Sequence, residues 1–158
     1  MQKRTKVVSP ETLMKEYREI LKDESIEALP FQISGNSMAP FLIHQRDTVY
    51  LSRLKRTVKK GDIVLYQRDN GAYVLHRVVK TEKDHVAMIG DGQFVIETGI
   101  RFDQIIAIVT SVQRKGKTLK PGDFWWDFFE KCWIHMIPFR KGIWHLVTTI
   151  KKLLNGKE

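Results

Sequence analysis

The sequence predicts a mainly β fold, and three observations lead to that prediction. Apolar runs rich in β-branched residues recur between residues 31 and 114, and glycine-containing turn motifs separate them. Amphipathic helical patterns are confined to the two ends of the chain. Short strands at this spacing indicate a coiled sheet or a partly closed barrel. A chain of 158 residues has the length of one domain, with room for a small appendage.

The strand predictions rest on apolar runs with turn chemistry between them. The runs are FQIS, DTVYLSRL, DIVLYQR, AYVLHRVVKT, HVAMIGD and QIIAIVTSVQR. The turns include KKGD at 59–62, DNG at 69–71, GDG at 90–92 and RKGK at 114–117. Because DNG lies directly between two of the runs, it predicts a β-hairpin.

The N-terminal region has the pattern of a short amphipathic helix. Ser9 can cap this helix, which is predicted from about residue 10 to 22. We therefore divide the chain into an N-terminal helical segment (1–30), a β-rich domain (31–118) and a Trp-rich amphipathic helical C-terminus (119–158).

The C-terminal region predicts a pair of amphipathic helices. All four tryptophans lie in the last 38 residues, and Asp127, Lys131 and His135 make a narrow polar stripe on a broad aromatic face. A second amphipathic helix is predicted after Pro138 and Gly142. Such a Trp-rich, basic pair suits a membrane interface. A helix hairpin packed over the sheet, or against a partner protein, is the equally good alternative.

The charge balance favours an anionic partner. The chain has 27 basic and 18 acidic side chains, a net charge of +9, which suits nucleic acid or an acidic membrane surface. Because the basic residues are scattered and the aromatic residues lie elsewhere, nucleic-acid binding is the least favoured of these functions. The single cysteine, Cys132, excludes an internal disulfide and a zinc site built from paired cysteines.

The first residues do not predict a targeting segment. They are basic, but the apolar core of a signal peptide does not follow, and neither does an N-terminal transmembrane helix. The expected location is therefore cytoplasmic or at the periphery of a membrane.

A serine in a turn and a histidine on a strand are the candidate residues for catalysis. Ser37 lies in SGNSMAP, and a serine hydroxyl becomes a good nucleophile only when a neighbouring base takes its proton. His76 is the best candidate base, because strand alternation in YVLHRVV places it on an apolar face with Val74 and Val78. A titratable group is costly there without a partner, and a pKa of about 6.5 suits a base near neutral pH. A satisfied structural histidine is the alternative interpretation.

Four motifs in a fixed order make the sequence similar to a known superfamily. SGNSMAP, KKGDIVLY, YVLHRVV and GDGQ follow one another, and 39 positions separate Ser37 from His76. Together they resemble the signal peptidase and LexA-like serine peptidase superfamily, over roughly residues 31–112. Each motif alone is weak, whereas the ordered set is specific.

The resemblance implies a LexA-like or signal-peptidase-like coiled sheet and a role for each motif. Ser37 would be the nucleophile, and His76 would be the general base at the position where many members use lysine. Asp91 in the GDG turn would orient or support the base, although a simple turn residue is an equally good interpretation. The backbone N–H groups of Ser37 and Asn36 would stabilise the oxyanion.

The resemblance also implies how a substrate binds. An extended peptide would pair with an exposed strand, and Met38 and Pro40 would shape the wall beside the nucleophile. Gly35 occupies the position where many bacterial signal peptidases have a side-chain hydroxyl, so backbone donors alone would serve the oxyanion. The family implies an Ala-x-Ala type of cleavage site, and it implies no cofactor or metal.

The chain also departs from the family pattern. It lacks the N-terminal transmembrane helix of signal peptidases, the room for a repressor's DNA-binding domain, and any Ala-Gly self-cleavage step. These features predict a dedicated serine endopeptidase that removes a leader or signal peptide from a precursor. The alternative is a non-catalytic or regulatory module of the same fold that binds an anionic membrane or an acidic partner.

Overall fold

The computed structural model describes residues 10–155, and a single antiparallel sheet dominates it. The strands are β1 (Leu29–Gln32), β2 (Thr48–Ser52), β3 (Ile63–Gln67), β4 (Tyr73–Thr81), β5 (His85–Ile89), β6 (Glu97–Arg101), β7 (Ile105–Arg114) and β8 (Lys117–Leu119). They pair in the order β1-β2-β7-β3-β4-β5-β6, and β8 pairs with β7. Within the described residues β1 and β6 end this order, so the sheet is open. The mainly β prediction is confirmed.

Strand alternation explains why the sheet has an apolar cluster on each face. Ile63 and Leu65 of β3 belong to one buried cluster, whereas Val64 and Tyr66 belong to the other. A central strand that is buried on both faces has a continuous apolar sequence, such as the IVLY of β3. Burial of each such apolar side chain contributes roughly 1.5–3 kcal/mol to the free energy of folding. Because four consecutive residues of β3 are buried, this strand lies at the centre of the core.

The DNG turn forms the predicted hairpin between β3 and β4. Gln67 pairs with Tyr73 and Val64 pairs with His76. Gly71 has a φ of +83°, which favours glycine, and the side chain of Asn70 accepts a hydrogen bond from the Ala72 N–H at 3.0 Å.

The helical ends differ in part from the predictions. The helix α1 spans Pro10–Ile20, slightly shorter than expected, and Ser9 lies outside the described residues. At the C-terminus α2 (Phe124–Asp127), a π-helical turn (Phe128–Cys132) and a 3₁₀ segment (Trp133–Phe139) lead into α3 (Arg140–Asn155). The predicted break at Gly142 is wrong, because α3 begins before this residue and continues through it.

The two parts of the C-terminal region have different surroundings. Trp126 and Phe129 are buried in the core cluster of one sheet face and Ile134 is also buried, whereas much of α3 is exposed. No helix in residues 10–155 combines the length and apolar character needed to cross a bilayer. The three-part division at residues 30 and 118 stays a prediction.

Candidate active site

Ser37 lies in a tight turn that follows β1 and is fixed from both sides. Gly35 has a φ of +86°, and its N–H donates to Nδ1 of His44 at 2.9 Å. Met38 and Leu42, which follow the serine, are buried and hold the turn to the core. Ser37 itself is half-buried, so its hydroxyl is accessible while its backbone is fixed.

The GDG turn after β5 packs directly on the backbone of the serine turn. A Cβ added to Gly90 would lie 2.3 Å from the Ser37 carbonyl oxygen, and one added to Gly92 would lie 2.6 Å from that of Ala39. The Gly92 N–H donates to the Ser37 carbonyl at 2.8 Å. The two glycines are therefore needed for close approach, and sequence reasoning had treated this motif mainly through Asp91.

His76 is a buried base with one ring nitrogen already engaged. It is 1% exposed, and Nδ1 lies 3.1 Å from the hydroxyl of Tyr66. Burial lowers the pKa of His76 to about 4, against the opposing attraction of Glu97. The imidazole is therefore neutral near pH 7, as a general base must be.

Ser37 and His76 line the same cavity, which has a volume of about 280 Å³. Its walls come from two distant parts of the sheet, residues 31–38 and residues 73–76, so the sheet coils enough to bring β1 near β4. The lining is mainly apolar, through residues such as Phe31, Ile33, Met38, Leu65 and Leu75, and it also includes the polar side chains of Arg68 and Gln93. Within the described residues, no hydrogen bond joins Ser37 to His76.

The predicted oxyanion donors are free in the described part of the chain. The N–H groups of Asn36 and Ser37 make no hydrogen bond to a protein acceptor among residues 10–155. Free backbone donors next to a serine hydroxyl can receive the oxygen of a tetrahedral intermediate. Their role in catalysis stays a prediction.

Asp91 is engaged with Arg77 rather than with His76. Its two carboxylate oxygens accept from Nε and Nη2 of Arg77 at 2.8 and 2.7 Å, and both residues are buried. Within the described residues Asp91 makes no hydrogen bond to His76 and acts on it only by charge, which favours the protonated imidazole. This geometry gives Asp91 the role of an anchor for the GDG turn.

The C-terminal helical region also holds the GDG turn. The indole N–H of Trp133 donates to the Asp91 carbonyl at 2.8 Å. Nη1 of Arg140 donates to the carbonyls of Gly90 and Gln93 at 3.0 and 3.1 Å. The packed half of this region therefore supports the site, which the sequence patterns did not indicate.

The two residues expected beside the nucleophile have different positions. Met38 lines the cavity that holds Ser37 and His76. Pro40 lines a separate apolar groove of about 220 Å³, together with Trp133, Trp144 and other residues. Pro40 thus lies beside the serine turn but outside the cavity.

Sequence reasoning missed the polar residues behind His76. The Tyr66 hydroxyl donates to Glu97 Oε2 at 2.7 Å, and Arg68 contacts both oxygens of Glu97. The hairpin register could have found Tyr66, because pairing across DNG places it diagonal to His76 on the same face. Glu97 lies on the short, polar strand β6, for which the sequence gives little signal.

The open antiparallel sheet and its serine turn define a serine-peptidase type, LexA-like fold. A family model described as Peptidase S24-like matches residues 7–113, which is 107 of the 158 residues. The chain belongs to this family, and the resemblance to the LexA and signal-peptidase-like superfamily is confirmed. A comparison with curated proteins gives no match. Because the family includes non-catalytic members, activity must be argued from the site.

Proposed function

We propose that the protein is a serine endopeptidase that removes a leader or signal peptide from a precursor. Ser37 is the nucleophile and His76 the general base. The observation that carries the proposal is the shared cavity, which is lined by the half-buried Ser37 and by the neutral imidazole of His76. Hydrogen bonds of catalytic residues often form fully only with substrate present, and we expect this of Ser37 and His76.

The proposed reaction has two steps, and His76 acts in each of them first as a base and then as an acid. Nε2 of His76 takes the proton of Ser37 as Oγ bonds to the substrate carbonyl carbon, and the oxyanion accepts from the free N–H groups of the turn. The imidazolium then gives this proton to the leaving amine as the C–N bond breaks. A water molecule then gives a proton to the same imidazole as its oxygen bonds to the acyl carbon, and the imidazolium returns this proton to Ser37 Oγ as the ester bond breaks.

Two free strand edges support binding of the substrate as an extended strand. The strand β4 pairs with β5 only from Arg77 onwards, so the backbone of residues 73–76 has one edge without a strand partner in the described chain. The strand β1 (Leu29–Gln32) pairs with β2 on one side and has no strand partner on the other in the described chain, where the Tyr17 hydroxyl donates to the Pro30 carbonyl. Because both edges line the cavity, a peptide between them would gain main-chain hydrogen bonds from each.

A peptide-cleavage experiment tests the proposal. Wild type, Ser37→Ala and His76→Ala are incubated with a library of leader-like peptides, and products are identified by mass spectrometry. We expect both variants to lose at least about a thousandfold in rate, with stability of Ser37→Ala changed by less than about 0.5 kcal/mol. Ser111→Ala on β7, outside the cavity, is the matched control. Undiminished cleavage by Ser37→Ala would refute the assignment.

The alternative is a non-catalytic module of the same fold. It predicts that folded wild-type protein binds peptides in the same cavity, seen by fluorescence anisotropy, while none of them is cleaved. Ser37→Ala would then bind as tightly as wild type. The neutral imidazole of His76 in the cavity that Ser37 also lines favours the peptidase, because a binding module needs no base there.

We further propose that α3 lies on an anionic membrane surface. More than half of the side chain is exposed at each of Trp144, Leu146, Leu153 and Leu154. The helix has no acidic residue, and its three lysines, Lys141, Lys151 and Lys152, are exposed, whereas Arg140 is buried under the GDG turn. An exposed apolar face with basic residues is the pattern of an interfacial helix, and it would hold the peptidase at the membrane periphery.

Sedimentation with lipid vesicles tests this surface. We expect binding to vesicles that contain phosphatidylglycerol and much weaker binding to pure phosphatidylcholine. The double variant Leu153→Glu/Leu154→Glu should bind at least tenfold more weakly, since each leucine contributes about 1.5 kcal/mol or more. Ile20→Glu, an exposed apolar position on α1, is the control. Equal binding to both vesicles, or self-association that the double variant abolishes, would contradict the proposal.

A further inference from the structure

We propose that Tyr66 and Glu97 are positioning residues that hold His76 in the tautomer with an unprotonated Nε2 facing the serine. In this arrangement a carboxylate acts on the imidazole through a phenol, and Asp91 has no direct part in it. The inference rests on the proposed peptidase function, and it adds to that function a device which sets the state of the base.

The direction of each hydrogen bond follows from the number of protons available. The Tyr66 oxygen lies 2.7 Å from Glu97 Oε2 and 3.1 Å from His76 Nδ1. An ionised carboxylate can only accept, so the single phenolic proton goes to Glu97. The Tyr66 oxygen then accepts from Nδ1, which must carry the proton of the neutral ring. The lone pair of the imidazole is left on Nε2.

Neighbouring groups keep both ends of this chain in the required state. Nε of Arg68 contacts Glu97 Oε1 at 2.8 Å and Nη2 contacts Oε2 at 2.6 Å; these bonds lower the pKa of Glu97. Burial, followed by the bond to Glu97, raises the pKa of Tyr66, so the phenol stays protonated. Glu97 is thus the acceptor and Tyr66 the donor throughout the neutral pH range.

The same chain suits the charged state of the base. Glu97 Oε2 lies 3.9 Å from His76 Nδ1, close enough to attract an imidazolium. The other charges that act on the ring are Arg68, which opposes protonation, and Asp91, which favours it. In Ser-His-Asp enzymes the aspartate fixes the tautomer and stabilises the imidazolium. Here Tyr66 provides the first effect and Glu97 the second.

Nitrogen NMR of the full chain with ¹⁵N-labelled histidine tests the inference without any substrate. The His76 signals are identified by their absence in His76→Gln. We expect wild type near pH 7 to show the proton on Nδ1. In Tyr66→Phe, which removes the acceptor, the Nε2–H form should rise to a substantial population. In Glu97→Gln the amide can donate to the Tyr66 oxygen, which frees the phenolic proton for Nδ1 and favours the Nε2–H form as well.

Kinetics provide the second readout. Tyr66→Phe should lower kcat about tenfold with KM little changed, which corresponds to the loss of one hydrogen bond to the base. Tyr50→Phe on β2, outside the cavity, is the matched control and should keep both the wild-type tautomer and rate. A tautomer that shifts in Tyr66→Phe supports the inference even before a substrate is found. An Nε2–H ring in wild type, or no change in Tyr66→Phe, overturns it even if Ser37-dependent cleavage is established.

Discussion

The buried ion pair between Arg77 and Asp91 allows a quantitative test of what Asp91 does. Both side chains are fully buried, and two hydrogen bonds of 2.8 and 2.7 Å join them. Nη1 of Arg77 also donates to the Gly61 carbonyl at 2.9 Å, and its guanidinium lies 5.4 Å from the ring centre of Phe41. The positive charge of Arg77 is therefore balanced chiefly by Asp91.

The perturbation is Asp91→Asn, which removes the charge and keeps the size. Loss of one partner leaves the other charge buried and uncompensated, which costs about 3–5 kcal/mol. This is a large part of the roughly 5–15 kcal/mol that stabilises a typical domain. We expect the free energy of unfolding to fall by about 3–5 kcal/mol. Urea titration followed by tryptophan fluorescence measures this change.

Two control variants make the test specific. Asp103→Asn affects an exposed pair with Arg101, 3.2 Å apart, and should change stability by less than about 1 kcal/mol. The double variant Arg77→Met/Asp91→Leu replaces the pair with apolar groups and should regain most of the loss. The reasoning is refuted if Asp91→Asn is as stable as wild type while cleavage falls a hundredfold or more. That result would mean that Asp91 serves the base directly.

Three further predictions concern the site. The pKa of about 4 for His76 means that, between pH 6.5 and 4, the unfolded chain binds a proton that the folded chain excludes. Stability therefore falls as the pH falls through this range, and wild type should lose ~3 kcal/mol relative to His76→Gln. Urea titrations at several pH values measure this difference. Gly90→Ala should destabilise by about 1–3 kcal/mol through contact with the Ser37 carbonyl, whereas Gly142→Ala, with open space around it in α3, should stabilise by about 0.5–1 kcal/mol, both measured by thermal unfolding. A substrate with one N-methylated amide facing residues 73–76 should lose about five- to tenfold in kcat/KM, and an unchanged value would exclude strand pairing there.

The central strands could be predicted because packing fixes their pattern. In YVLHRVV, alternation correctly separates His76 from Arg77 on opposite faces, and both are buried because the strand lies inside the sheet. The edge strand β6 was not predicted. Its sequence ETGIR is polar and contains Gly99, and its place depends on pairing with β5, which local pattern does not record.

The C-terminal prediction failed where local signals compete with packing. Pro138 and Gly142 indicate a helix break, yet Pro138 lies within a 3₁₀ segment and Gly142 within α3. The predicted polar stripe is partly present, since Lys131 and Asp127 form an ion pair at 2.6 Å. Trp126 is buried in edge-to-face contact with Phe41 of the serine turn, and no helical periodicity contains the information for such a tertiary contact.

The candidate site was predictable only as far as its motifs reach. Ser37 and His76 could be proposed together because ordered motifs imply a common fold. The residues behind His76 could not be proposed from the sequence, because the Tyr66 hydroxyl donates to Glu97, which lies 31 positions further along the chain. Such a contact depends on the coil of the finished sheet.

Strand β4 explains how Ser37 and His76 are held relative to each other. His76 lines the cavity, and the next residue, Arg77, holds Asp91 and with it the GDG turn. The GDG turn contacts the Ser37 backbone through Gly90 and Gly92. Neighbouring residues of one strand thus hold both Ser37 and His76, so a shift of β4 would move the two together. We therefore propose that the buried ion pair sets the geometry of the site, while the Tyr66 hydrogen bond sets the tautomer of His76.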